Sequence, residues 1–136
     1  MSVIRVALTA LLAAGTLNAA GLPAYSADPI VGSWHGVIDQ PGDAPYKGFL
    51  SFSTPNTGKS FYPSSDCGGK TVGIFRDGTY YFRETITKNR ATLATDEGCL
   101  DGDFKMTVDG DKMHWEWTGT WLGDVITATG EFIRDR

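Results

Sequence analysis

The sequence predicts an all-β fold, an antiparallel up-and-down barrel of eight to nine strands, and three observations lead there. Short segments in which apolar and polar residues alternate recur about every ten residues along most of the chain. Asp-Gly pairs and Pro/Gly clusters separate them at nearly every boundary. No segment has a helical period long enough to serve as a crossover, so strand follows strand by hairpin. A two-sheet β-sandwich is the alternative that the same pattern allows.

Residues 30–39 open the series, entered through Pro29 and Gly32. Residues 40–45 contain Pro41, Gly42 and Pro45 and form a loop, because proline cannot donate to a sheet ladder. The second strand is 47–53, and a turn over 54–58 hands over to a third, 59–63. A glycine-rich corner, 64–69, carries Cys67. Residues 70–75 and 79–87 make a hairpin through Arg76-Asp77-Gly78. A further short strand is expected over 90–95, followed by an acidic turn that carries Cys99. Residues 104–108 and 112–118 make a second hairpin through Asp109-Gly110-Asp111. After a corner at 119–123, residues 124–134 are the last strand.

The start of the chain has a different character. Arg5, the apolar run 6–14 and the small residues around Ala20 and Ala27 follow the order of a secretory signal peptide. The apolar run is too short for a membrane span. Cleavage is expected between 20 and 27, leaving 28–136 as a single β-barrel domain, secreted or periplasmic, without a membrane anchor and monomeric. The formal net charge is −4, and the basic residues are scattered among acidic ones with no stripe to neutralise phosphates. Nucleic acid is therefore not an expected partner.

The chain has two cysteines, Cys67 and Cys99. An even pair in a small exported domain points to a disulfide. Closing a loop of about 32 residues stabilises by roughly 3–4 kcal/mol in the chain-entropy view. Neither cysteine has a nearby histidine or a Cys-x-x-Cys partner, so no metal site is expected, and no cofactor.

Strand parity sorts the other side chains. Met113, Trp115 and Trp117 share one face, with His114 and Glu116 on the other. In the segment Tyr80-Tyr81-Phe82-Arg83-Glu84-Thr85-Ile86 the apolar row is Tyr80, Phe82, Glu84, Ile86, which makes Glu84 a carboxyl on a core-facing row. Such a group must find donors or keep its proton. It is either a ligand contact within a cup or a structural carboxyl held by neighbouring donors. Glu84, Trp115, Trp117, Tyr62 and Tyr80 are the candidate ligand-binding residues, with core packing as the other reading of the aromatics. His35 and His114 fall on polar faces as surface residues. No Gly-x-Ser-x-Gly elbow is present and no histidine is placed to serve Ser64 or Ser65 as a base, so no catalytic residue is assigned and an enzyme is not expected.

Gly32-Ser33-Trp34 on a first strand, with Arg134 at the end of the last, resembles the calycin superfamily of lipocalins, fatty-acid-binding proteins and avidins. That resemblance implies that Trp34 plugs one end of the barrel, that Arg134 packs across it, and that the other end opens as a ligand cup. The other lipocalin signature segments and avidin's biotin-contact pattern have no counterpart here, so no binding residue carries over. Tyr62-Pro63-Ser64 through Cys67-Gly68-Gly69, Phe82-x-Glu84-x-Ile86 and Cys99 are also similar to small exported bacterial domains of unassigned function. Two functions are expected. One is a binding module whose partner is a small apolar or amphipathic ligand. The other is an interaction protein that inhibits a secreted or envelope enzyme, such as a protease or lysozyme, through 40–46 or 61–69.

Overall fold

The computed structural model describes residues 28–95 and 97–136; the expected leader lies outside the described residues. Eight strands follow one another: β1 (Gly32–Asp39), β2 (Tyr46–Thr54), β3 (Thr57–Tyr62), β4 (Cys67–Arg76), β5 (Thr79–Ile86), β6 (Gly102–Asp109), β7 (Lys112–Trp121) and β8 (Asp124–Arg134). One 3-10 turn, Pro63–Ser65, sits between β3 and β4. Each strand pairs antiparallel with its neighbour in sequence. β8 returns to β1 with Trp34 opposite Arg134 and Ile38 opposite Gly130, so the sheet closes on itself. β1 pairs on both sides, with β2 and with β8, which rules out the sandwich alternative.

The short strand expected over 90–95 is not formed. β5 pairs directly with β6, Glu84 opposite Gly102, and leaves no ladder for an intervening strand. Asn89 instead folds the segment into turns: its side-chain oxygen accepts from the Ala91 N–H at 2.8 Å, and its carbonyl accepts from Thr92 and Leu93. Such Asx turns compete with extended pairing. The corner before β4 is also shorter than expected, because Cys67 already pairs with Tyr62.

Alternate residues of every strand fill the interior, as a barrel of this strand number requires. Its middle is an aromatic belt in which Phe52, Phe82, Phe104, Trp115 and Phe132 succeed one another at centroid spacings of 5.3–5.9 Å. Offset and edge contacts of this kind add to the burial of large apolar surfaces.

The two ends differ. At one, β2–β3, β4–β5 and β6–β7 are joined by two-residue turns. Asp77 and Gly78 both take positive φ, 50° and 83°, as a type I′ hairpin needs. Residues 28–31 cross this end as a plug, with Ile30 buried, the Trp34 indole donating to its carbonyl at 2.9 Å, and Tyr80 donating to Asp28 at 2.5 Å. Arg134 lies with its guanidinium carbon 4.2 Å from the Trp34 ring centre and donates to the carbonyls of Val31 and Pro29. The other end carries the long connections 40–45 and 87–101, the 3-10 turn and the Leu122-Gly123 hairpin tip. It is open.

Candidate functional site

The open end contains a cleft of about 450 Å³, within the size range of small-molecule sites. Parity places Glu84, near the end of β5, inside the barrel, and the strand ends two residues later, so its carboxyl forms the cleft floor at 1 % exposure. Across the sheet Glu84 stands opposite Thr71 of β4 and Gly102 of β6. Tyr62, the last residue of β3, donates its hydroxyl to Glu84 Oε2 at 2.6 Å. The Ser60 hydroxyl is buried without a hydrogen-bond partner, so its closeness to the carboxyl is proximity rather than a formed bond.

Burial raises the Glu84 pKa above the ordinary carboxylate value, because desolvation penalises the charged form, and the nearby Asp101 charge adds to this. Tyr62 and Trp117, both neutral, oppose the rise. Burial first, then Glu84, pushes the Tyr62 phenol well above its usual value. Tyr46, at the start of β2, is pushed up to about 12 by burial and then by Asp43 and Glu84. Its ring meets Tyr62 edge-on at 6.4 Å, and its hydroxyl donates to Gln40 at 2.9 Å. Both phenols keep their protons at neutral pH and serve as donors.

Trp117 makes a wall, and the sequence explains why it can lie there. Gly102 and Gly119 pair with each other on β6 and β7, and a β-carbon at either would overlap the Trp117 indole. Two glycines side by side leave the recess into which the ring folds. The neighbouring rim comes from the connection between β5 and β6, tied to the start of β4 by the Cys67–Cys99 disulfide with Cα atoms 6.1 Å apart. Cys99 N–H donates to Lys88 and Arg90 N–H donates to Cys99, which closes the base of this loop. The Arg90 side chain reaches the cleft wall, donating to the Gly98 carbonyl at 3.1 Å with its guanidinium 5.6 Å from the Trp121 ring centre.

The structure brings three of the expected residues, Glu84, Trp117 and Tyr62, to one cleft. Trp115 lies deeper, in the aromatic belt between Phe104 and Phe132, its indole N–H buried without a partner. Tyr80 sits at the plugged end, on Asp28. Neither lines the cleft. His35 and His114 are half exposed on the outer wall, paired with Asp135 and Glu131. Tyr46, Leu100, Ile126 and Arg90 line the cleft although the sequence did not single them out. Tyr46 was reachable, since it continues the inward row Phe52, Leu50, Gly48; Arg90, in irregular backbone, carries no periodic signal.

A floor with one buried carboxyl, two phenol donors and apolar walls can orient a polar head and shelter an apolar body. Among the described residues no three His, Cys, Asp or Glu side chains converge as metal ligands. Fold and site together define a small disulfide-tied barrel, closed at one end and cupped at the other, and the disulfide is compatible with an oxidising compartment. No family model, no curated protein and no solved structure matches the chain.

Proposed function

We propose that this chain is an exported, calycin-like binding module that accepts a small apolar or amphipathic ligand in the open end of its barrel. The observation that carries the reading is the cleft itself, floored by the buried Glu84–Tyr62 pair and walled by Trp117. Leu100 and Ile126 supply apolar surface beside the polar floor, the division that an amphipathic molecule matches. Kinship with calycins is supported by Trp34 at the plugged end beneath Arg134. Secretion is supported by the leader-like segment and the disulfide. The test is intact mass of protein collected from a bacterial periplasm, under native and then denaturing conditions. A native mass higher by a discrete adduct is the expected result. Bare protein in every preparation, with no change in Trp117 fluorescence across a panel of amphipathic small molecules, contradicts the reading.

One observation favours a second reading, an inhibitor or interaction protein acting on a secreted or envelope enzyme. Leu122, at the β7–β8 tip on the open rim, is 83 % exposed with φ of 51°, and Val125 beside it is also exposed. A leucine held in left-handed backbone costs about 1 kcal/mol relative to glycine and gains no packing here. Contact with a partner would give it a use. Capture of one discrete envelope enzyme by the wild type and not by Leu122→Gly supports this reading; equal capture by both counts against it.

A further inference from the structure

We infer that the cleft selects a cationic amphiphile, an ammonium group on a flat or aliphatic apolar body, with the Glu84 carboxylate as its counter-charge. This rests on the ligand-cup reading above and adds the ligand's charge. The groups around Glu84 carry the inference. Its hydrogen-bond donor is the neutral Tyr62 hydroxyl, and among the described residues no Lys, Arg or His makes an ion pair with it. A buried carboxylate without a cation is costly, and an arriving ammonium supplies what the fold leaves out.

The charges facing the cleft from the neighbouring elements are acidic, with Arg90 the exception among the described residues. β2 and β3 contribute the phenols Tyr46 and Tyr62, the 40–45 loop contributes Asp43, and Asp101 stands next to β6 close enough to be felt at Glu84. Among the described residues Arg90 is the one base on the wall; its guanidinium donates to the Gly98 carbonyl and lies over the Trp121 ring, with Nε buried and without a partner. An anionic head would meet Glu84 and Asp43. A cationic head meets a carboxylate in a cleft also lined by Tyr46 and Trp117, ring types that attract cations. The apolar body then lies against Leu100 and Ile126.

Binding a cation requires Glu84 ionised, so the ammonium displaces the Glu84 proton into solvent. Affinity therefore rises with pH and levels off above the Glu84 pKa, falling about tenfold per pH unit below it. The experiment uses three probes that share one body, phenylbutylamine, phenylbutanol and phenylbutanoate, titrated by calorimetry into wild type, Glu84→Gln and Tyr62→Phe across acidic to neutral pH. The amine is expected to bind about 10- to 100-fold more tightly than the alcohol, the size of one charge-assisted hydrogen bond out of water. Glu84→Gln removes that preference and the pH dependence, while measurable binding of the alcohol to the variant reports an intact cleft. Tyr62→Phe removes a donor to the carboxylate, and so moves the amine's pH midpoint upward. Equal affinity for amine and alcohol, tighter binding of the carboxylate, or a midpoint unmoved in Tyr62→Phe overturns the cationic assignment and leaves the cup standing. No binding of any probe up to its solubility overturns the cup as well.

Discussion

Reducing the disulfide is expected to destabilise the barrel strongly without disturbing its open end. Cys67 and Cys99 are separated by 32 positions. The chain-entropy relation for a loop of that length gives about 3.7 kcal/mol at 25 °C, acting on the unfolded chain. For a domain of roughly 100 residues, with an unfolding entropy near 0.2 kcal/mol/K, this lowers Tm by roughly 18 °C. The folded state holds the loop independently of the sulfur bridge, through Cys99 N–H to Lys88 O at 3.0 Å and the Ile86 N–H to Asp101 at 2.8 Å. Ligand affinity measured well below Tm should therefore change little. The assay is thermal unfolding by circular dichroism with and without a phosphine reductant, beside a Cys67→Ala/Cys99→Ala double variant that should ignore the reductant. Reduction keeps side-chain volume, so the comparison isolates loop closure from packing. A fall of less than about 5 °C, or about 1 kcal/mol, would refute the reasoning and mean that the unfolded chain is already restricted around this loop.

The Glu84 carboxyl gives a pH signature of its own. Its pKa is raised in the folded state, so its contribution to stability is fully present below the unfolded value near 4.3 and is lost as pH rises through the folded value. Glu84→Gln should gain on wild type over that window, by at most about 1.4 kcal/mol per pH unit, in denaturant titrations; parallel curves would show that the group titrates as in water. Gly102→Ala places a methyl against the Trp117 indole, which should cost about 1–3 kcal/mol and weaken probe binding by driving the ring into the cleft, as read by denaturation and calorimetry. At the plugged end, Arg134→Ala removes the guanidinium over Trp34 and the donors to Pro29 and Val31. A loss of about 2–3 kcal/mol is expected with cleft affinity unchanged, since the perturbed contacts lie at the far end of the barrel.

How far the sequence reveals this molecule depends on what period two encodes. Alternation says which face a side chain takes, and on that basis Glu84, alone among charged residues on an apolar row of β5, was legible as an interior carboxyl. The Asp77-Gly78 hairpin and the cysteine pair were legible for similarly local reasons, whereas the Trp34–Arg134 contact was expected from a family resemblance alone. Alternation does not say how high along the barrel a residue lies. Tyr80 and Glu84 share a face but are four residues apart, roughly 13 Å of strand, so one meets the plug and the other the cleft. Trp115 and Trp117 differ by a single inward step, enough to separate belt from wall. Height is fixed by the stagger between neighbouring strands, which depends on partners distant in sequence. The segment 90–95 misled for another reason. Its β-branched and apolar residues suit a strand, but Asn89 offers the backbone a local turn and the direct β5–β6 pairing leaves no partner.

The central claim, that ligand enters the open end above Glu84, has a direct probe in the four tryptophans. Trp117 lies on the cleft wall, Trp121 beside Arg90 at the open rim, Trp115 in the belt and Trp34 at the plugged end. Their indole N–H signals in a two-dimensional NMR titration with phenylbutylamine report four heights along one barrel. The account predicts a saturable shift at Trp117, a smaller one at Trp121, and stationary signals at Trp34 and Trp115. A stationary Trp117 signal while Trp34 or the amides of the exposed outer-wall residues Phe49 and Phe61 move would contradict it and place the ligand elsewhere on the barrel.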